Sequence, residues 1–259
     1  MARIIVIASG KGGVGKTTST VNIGAALNKL GKDVTIVDAN LTTPNIGLHL
    51  GAPTVPISLA HVLAGKAKLH EAIYEHHSGM KVLPSSISIY SGKINPEKIS
   101  EIARKLKRYG DIVLFDSAAG LGEDVIHTLN AADDIIIVTQ AEMPALTDAL
   151  KTIKLAEEQL DKTIRGIVVT RFRKKGHEIP IDTVESMLEK EVISVIPEDD
   201  AVKESLRMRD AVVHTHPKSN ASRGYNELAA KLIGKRYSKA IEGEDKMFVR
   251  VLKRLGLAE

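Results

Sequence analysis

The sequence predicts an α/β fold: a doubly wound, mostly parallel sheet with helices on both faces. Short apolar runs alternate with longer helical patterns, and this alternation is typical of parallel strands joined by crossover helices. A glycine-rich segment joins the first run to the first helical pattern, where open sheets of this kind bind ligands. The apolar runs are residues 3–8, 34–37, 112–115, 135–138, 167–169 and 192–196, and the clearest helical patterns are 17–30, 145–160, 182–190 and 222–233.

The first predicted element is a strand, a loop and a helix. Residues 3–8 are continuously apolar with β-branched side chains, as in a strand buried on both faces. The helical pattern that begins at Thr17 stops at Gly31, a suitable C-cap residue. Between them, residues 10–17 read GKGGVGKT, which satisfies the phosphate-loop pattern. A glycine-rich surface turn is the alternative, but the flanking strand and helix favour the phosphate loop.

The residue types of this loop predict a bound nucleoside triphosphate. Glycines allow successive backbone N–H groups to converge on phosphate oxygens, and the helix N-terminus adds partial positive charge. Lys16 is expected to reach the β- and γ-phosphates, and the Thr17 hydroxyl is expected to bind Mg²⁺. The predicted nucleotide contacts of this segment are Gly10, Lys11, Gly12, Gly13, Val14, Gly15, Lys16, Thr17 and Thr18.

Two aspartates end apolar runs and are candidates for the same site. Asp116 follows the run 112–115, where nucleotide enzymes hold Mg²⁺ directly or through water. Asp38 follows the run 34–37, and its carboxylate could assist the metal or orient the attacking water. From spacing alone, capping of the next turn is an equal alternative for Asp38.

Composition narrows the remaining classes of function. The chain of 259 residues contains no cysteine, which excludes thiolate-held iron–sulfur and zinc sites and fits a reducing cytoplasm. The net charge of +4 permits contact with anionic surfaces without establishing nucleic-acid binding. The sequence shows no signal-peptide pattern and no apolar run long enough to span a bilayer, so we expect a cytoplasmic protein.

The motifs together resemble the MinD/ParA family of ATPases with a deviant Walker A loop, and within it the MinD branch. The resemblance rests on KGGVGKT at 11–17, VD at 37–38, DSAAG at 116–120 and VIPED at 195–199, and it covers about residues 1–235. It implies the three-layer P-loop fold and a Mg²⁺-dependent ATPase that forms a homodimer with ATP. Lys11 would then reach the nucleotide of the partner subunit, as an arginine finger does in trans.

The resemblance also implies where adenine is read. The readers would lie at the end of the strand 167–169, with Arg171, and in the loop Pro197, Glu198 and Asp199. Thr170 stands where many relatives have Asn, which disfavours it as a base reader.

Asn40 departs from the family pattern. Many relatives carry a second Asp two residues after the one that matches Asp38, whereas this chain has Asn40. An amide cannot accept a proton as a general base does, although it can position water. We therefore count Lys11, Lys16, Asp38 and Asn40 as the catalytic candidates and expect slow hydrolysis.

The last residues predict a membrane contact. An acidic break at 242–245 separates the ATPase domain, 1–235, from a linker and helix in 236–259. Phe248, Val251, Leu252 and Leu255 share one helical face, flanked by basic residues, so 246–257 is a candidate interfacial anchor on the inner face of the cell membrane. Two such tails in a dimer would bind an anionic surface far more strongly than one. A helix docked on the protein itself is the alternative.

Three functions remain open at this stage. The first is a MinD-type switch that cycles between cytoplasm and membrane, positions cell division or another structure and answers to a protein regulator. The second is a ParA-type partition ATPase that binds DNA through basic surface patches. The basic run 171–175 could bind DNA or lipid phosphates, but a solvated loop is the favoured interpretation. The third is an ATP-binding scaffold that hardly hydrolyses. The pairs His76–His77 and His214–His216 are interpreted as loop histidines because neither has a metal-site spacing.

Overall fold

The computed structural model describes residues 2–85, 95–174, 176–235 and 237, and an eight-stranded sheet crosses this part of the chain. The strands are β1 (Arg3–Ser9), β2 (Val34–Asp38), β3 (Tyr74–Glu75), β4 (Lys81–Leu83), β5 (Ile112–Ala119), β6 (Asp134–Thr139), β7 (Ile164–Phe172) and β8 (Val192–Pro197).

The strand order is β3-β4-β2-β5-β1-β6-β7-β8. Every neighbouring pair is parallel except β3 and β4, which form an antiparallel hairpin at one edge. The six predicted strands are β1, β2 and β5 to β8, so the mostly parallel sheet is confirmed. The sequence does not predict the hairpin, because strands of two and three residues are too short to show a periodicity.

Helices cover both faces of the sheet. A π-helical turn at Leu155–Gln159 directly follows the helix Met143–Lys154. The helices are α1 (Lys16–Lys29), α2 (Ile46–His49), α3 (Leu59–Leu63), α4 (Ile99–Leu106), α5 (Glu123–Asn130), α6 (Met143–Lys154), α7 (Ile181–Leu188), α8 (Asp200–Met208), α9 (Val212–Thr215) and α10 (Asn220–Leu232), with 3₁₀ turns at Leu69–Ala72 and Pro96–Lys98.

The central strand β1 shows why the fold has three layers. Its side chains alternate between the two faces: Ile4 and Val6 pack in the core under α4, α5 and α6, whereas Ile5 and Ile7 pack in the core under α1 and α10. All four are buried, as expected for a parallel strand covered on both sides. The predicted doubly wound α/β fold is therefore confirmed.

Helix α1 ends as its sequence predicts. Gly31 has a φ of +82°, its N–H donates to the Asn28 carbonyl, and the Lys32 N–H donates to the Leu27 carbonyl. These two bonds form a Schellman motif, which satisfies the last carbonyls of the helix.

One strand extends beyond its predicted end. β5 continues past Asp116 to Ala119, because β1 pairs with it again, Ser9 with Ala119, after a register shift. Asp116 therefore lies inside a strand, opposite Asp38 at the end of β2.

The described helices include none that is long and apolar enough to cross a membrane. The predicted amphipathic helix 246–257 lies outside the described residues, so its conformation stays a prediction, as does the domain boundary at 235.

Candidate functional site

The loop between β1 and α1 is shaped by its glycines. Gly13 and Gly15 have φ values of +79° and +90°, a left-handed region that side chains with a Cβ rarely adopt. Gly10 lies so close to helix α6 that a Cβ added there would be 2.1 Å from the Asp148 carbonyl oxygen. The loop is therefore held against α6 while its backbone stays bent at the start of α1.

Lys16 points into the site, where Asp116 holds it. Its Nζ donates to Asp116 Oδ1 at 3.0 Å and also to the Ser117 carbonyl. The lysine side chain is 8% exposed and that of Asp116 is fully buried, so the pair sits at low dielectric. The structure thus brings together two residues that the sequence predicted separately for phosphate and metal.

The oxygen atoms around Asp116 suit a hard divalent cation. The Thr17 hydroxyl donates to Asp116 Oδ2 at 2.6 Å, and the Thr20 hydroxyl donates to Oδ1 at 3.3 Å. Hydroxyl and carboxylate oxygens are the donors that Mg²⁺ prefers. Thr17 and Asp116 are therefore the residues that could hold Mg²⁺ next to a bound phosphate.

Asp38 combines burial with a structural role. Its Oδ1 accepts the Asn40 N–H at 3.2 Å, and its Oδ2 accepts the N–H groups of Asn45 and Ile46 at 2.9 and 3.0 Å. Burial and the negative charge of nearby Asp116 raise the pKa of the Asp38 carboxyl to about 8, although the two Oδ2 bonds oppose that rise. Both oxygens thus cap the turn and helix α2, which is the alternative that spacing left open for this residue. A cation bound beside the two carboxyls would stabilise their charged forms.

The capped helix carries a site residue that sequence patterns did not reveal. His49 Nδ1 lies 2.9 Å from the Asn45 carbonyl, which requires the proton on Nδ1 and leaves Nε2 to accept the Thr18 hydroxyl at 3.3 Å. Burial lowers the pKa of His49, which favours this neutral form. The sequence gives no signal for this contact, because His49 and Thr18 are brought together by the fold of the turn after Asp38.

Asn40 lies at the edge of the cleft and is 8% exposed. Its Oδ1 accepts the Thr43 N–H at 3.0 Å, and its Nδ2 donates to Thr43 Oγ1 at 3.0 Å. Thr43 therefore holds the amide, and Asn40 lines the same cleft as the phosphate loop.

Lys11, unlike the buried and paired Lys16, lies on the surface of the phosphate loop. Its side chain is exposed at the rim of the loop. Within the described residues, no hydrogen bond or ion pair joins its ammonium to another group, while its carbonyl accepts the Ser9 hydroxyl at 3.1 Å. One loop therefore presents one lysine inward and another outward.

Two connected cavities surround the loop. The larger, about 630 Å³, is lined by the phosphate loop, Asn40, His49 and Asp124. The smaller, about 170 Å³, joins it at Gly15 and Arg171. The larger cavity alone falls in the range of about 300–1,000 Å³ typical of small-molecule sites.

The smaller cavity brings together the residues predicted to read adenine. Its lining includes Arg171, Pro197, Glu198 and Asp199, together with apolar side chains that would suit a flat base. Thr170 also lines this cavity, although it is only 3% exposed, and its hydroxyl donates to the carbonyl of Val14 in the phosphate loop at 2.6 Å. Its hydroxyl is thus engaged by the backbone, and the expectation that Thr170 is a poor base reader stays a prediction.

Two protein families match the chain. Residues 2–166 match the family described as an AAA domain. Residues 100–247 match the family of 4Fe-4S iron–sulfur cluster binding proteins of NifH/frxC type. Because the 259 residues include no cysteine, the thiolates that hold such clusters are absent from this chain.

The chain is also similar, over most of its length, to ATP-binding proteins of nearly equal length. An uncharacterized ATP-binding protein of Methanocaldococcus jannaschii is 36% identical over 96% of this chain and 94% of its own length. The septum site-determining protein MinD of Pyrococcus horikoshii, solved with Mg-ADP, is 34% identical, with a TM-score of 0.85 over 90% of this chain and 96% of that one. MinD in the MinC:MinD cell division complex of Aquifex aeolicus is 30% identical, with a TM-score of 0.83 over 92% of this chain and 98% of that one.

Proposed function

Because the chain belongs to the MinD/ParA family of P-loop ATPases, we propose that it is a MinD-type switch driven by Mg-ATP. The phosphate loop with Lys16 binds the triphosphate, Thr17 and Asp116 hold Mg²⁺, and the cavity beside Arg171 takes the base. The structure of a relative with Mg-ADP supports this assignment of ligand.

The output of the switch is an ATP-dependent homodimer. The observation that carries this proposal is the contrast between buried, paired Lys16 and exposed Lys11, which has no partner among the described residues. A cation at the rim of the loop can neutralise phosphate charge on a facing subunit, and ATP then favours the dimer because it is contacted more strongly there.

The dimer attaches to the membrane through the predicted helix 246–257 and so positions cell division or another structure. A MinC-type protein regulator is supported by the complex formed by the Aquifex aeolicus relative. We propose a boundary between the ATPase domain and this tail at about residue 235, close to the end of α10.

The membrane step predicts nucleotide-dependent sedimentation with liposomes. The full chain should sediment with vesicles of anionic lipid in ATP, and much less in ADP, because two tails multiply the affinity of one. Deletion of 246–259 should abolish sedimentation while ATP binding is kept, and Lys253→Glu/Arg254→Glu should weaken it. Sedimentation that ignores both nucleotide and tail would contradict the proposal. Salt-sensitive DNA binding in its place would favour the partition ATPase.

Asn40 predicts that ATP turnover is slow and can be raised. Asn40→Asp should increase turnover on the order of tenfold or more, because a carboxylate can act as a general base where the amide cannot. The fold should tolerate the change, since the new carboxylate can still accept the Thr43 N–H and, in place of the amide donor, the Thr43 hydroxyl. Steady-state phosphate release measures the effect, and Asn130→Asp, at an exposed position at the end of α5, is the control that should leave turnover unchanged. Equal rates for the unsubstituted chain and its Asn40→Asp variant would show that this residue does not limit hydrolysis.

A further inference from the structure

Three histidines and one aspartate meet on the side of the fold that carries the β3–β4 hairpin. His76 and His77 stand in the turn between these strands, whereas Asp210 follows α8 and His214 lies on α9. The spacing of the two histidine pairs predicts loop residues, which is wrong for His214 because it lies in α9. The fold brings His214 to the first pair and adds Asp210, which no sequence pattern had singled out. All four lie outside the lining of the two cavities around the phosphate loop.

Asp210 is the centre of the cluster. Its Oδ1 lies 3.6 Å from His76 Nε2, and its Oδ2 lies 3.2 Å from His77 Nε2. One ligand atom of each of these three residues falls within 4.8 Å of the others. The rings of His76 and His77 have centroids 4.0 Å apart, so both nitrogens face the same carboxylate.

These separations match those of a tetrahedral metal site. Zinc binds nitrogen and oxygen at about 2.0–2.2 Å, so two ligand atoms at tetrahedral positions lie roughly 3.3–3.5 Å apart. The nitrogen–oxygen distances of 3.6 and 3.2 Å bracket this value. The two distances are to different oxygens of Asp210, so the carboxylate has to turn until one oxygen can bind an ion together with both Nε2 atoms.

The neighbours of the cluster orient its atoms for coordination. His214 Nδ1 lies 2.9 Å from Asp210 Oδ1 and donates to it, which fixes the carboxylate. His76 Nδ1 lies 2.9 Å from the Ser78 hydroxyl and accepts the Ser78 N–H at 3.4 Å, so Ser78 holds the ring with its Nε2 edge towards Asp210. To bind a metal through Nε2, the neutral ring would carry its proton on Nδ1 and donate it to the Ser78 hydroxyl.

We propose that His76, His77 and Asp210 bind one divalent transition-metal ion of the zinc class. His214 is a positioning residue that holds Asp210 through its Nδ1–H. Imidazole nitrogen with a single carboxylate suits Zn²⁺, Ni²⁺ or Cu²⁺, whereas Mg²⁺ prefers oxygen ligands throughout. The fourth position is left for water or a further ligand.

The ion would tie two distant parts of the chain together. The hairpin forms one edge of the sheet, and Asp210 follows α8, whose Val202 and Leu206 line the smaller cavity. Zinc should therefore raise the Tm of the protein, because it binds the folded arrangement and finds no assembled site in the unfolded chain.

Equilibrium dialysis of the tag-free full chain against ZnCl₂, with MgCl₂ in excess to occupy the oxygen site, tests the proposal. One zinc per chain is expected. His77→Ala and Asp210→Asn should each weaken binding by more than tenfold. Neither threatens the fold, since His77 is 70% exposed and the amide oxygen introduced by Asp210→Asn can still accept the Ala211 N–H. His70→Ala removes an exposed histidine elsewhere and should leave zinc binding unchanged.

The role of His214 has its own comparison. His214→Ala should weaken zinc binding by about 10–100-fold, the usual loss for a residue that supports a ligand. His214→Asn should restore it, because the amide nitrogen of Asn takes nearly the place of Nδ1. Co²⁺ in place of zinc should give a visible absorption band that disappears in His77→Ala. Zinc content near zero in the unsubstituted chain, or unchanged affinity in both His77→Ala and Asp210→Asn, overturns the metal site, and a His214→Asn variant as weak as His214→Ala overturns the role of His214.

Discussion

Lys16→Ala is expected to lower ATP turnover by at least about 10²-fold, the usual loss when a group that stabilises transition-state charge is removed. Lys16 carries the only inward-pointing ammonium of the phosphate loop, since Lys11 is exposed at its rim. Loss of ATP binding should accompany the loss of turnover. Phosphate release and titration with a fluorescent ATP analogue measure the two effects. Lys29→Ala, an exposed lysine at the other end of α1, is the matched control and should change neither.

The same substitution should destabilise the protein without any nucleotide. Asp116 is fully buried, and removal of the partner of a buried ion pair costs about 3–5 kcal/mol because the remaining charge is uncompensated. The double variant Lys16→Ala/Asp116→Asn should recover part of this free energy of unfolding, because it removes that charge. Urea denaturation measures both. A double variant less stable than Lys16→Ala would contradict this view of the ion pair. ATP turnover should stay low in both the single and the double variant.

Lys11→Ala is expected to have an equally large effect on turnover through a different route. If Lys11 acts on the nucleotide of a partner subunit, its loss should cost on the order of 10³-fold in turnover, as for catalytic groups supplied in trans. ATP affinity of the monomer should change little, and stability should stay within about 0.5 kcal/mol, because the side chain is exposed.

A mixing experiment separates action in trans from action in cis. Chains with Lys11→Ala and chains with Lys16→Ala are each expected to be inactive alone. In a mixed dimer, the Lys16→Ala chain cannot bind ATP but offers its Lys11 to the nucleotide held by the other chain. Turnover should therefore reappear on mixing. No recovery, together with normal turnover of Lys11→Ala alone, would contradict a role for Lys11 between subunits.

Much of the fold follows from local patterns in the sequence. The six long strands are continuous apolar runs, and the phosphate loop has a spacing that few other structures share. The edge hairpin β3–β4 could not be found in this way, because strands of two and three residues carry no period. The extension of β5 beyond Asp116 depends on pairing with Ser9, more than a hundred residues earlier in the chain.

Site residues that belong to a sequence motif could be predicted. Site residues that only tertiary contacts bring together could not. Lys16, Thr17 and Asp116 could be assigned from sequence, and in the structure the side chains of Lys16 and Thr17 both donate to the Asp116 carboxylate. Asp38 caps the turn and the short helix that follow it, and this helix places His49 next to Thr18. Asp210 likewise gains its histidine neighbours from two distant segments, so its spacing in the sequence gives no signal.

The central proposal is that ATP bound in the phosphate loop joins two chains into a dimer through Lys11. Light scattering coupled to gel filtration, with Mg-ATP or Mg-ADP in the running buffer, measures this directly, and the slow hydrolysis expected from Asn40 helps to preserve the ATP state. We expect the mass of two 28.0 kDa chains in ATP and of one chain in ADP, with Lys11→Ala a single chain in both. A mass that is the same in ATP and ADP, or an ATP-dependent dimer that survives in Lys11→Ala, would refute the proposed role of Lys11.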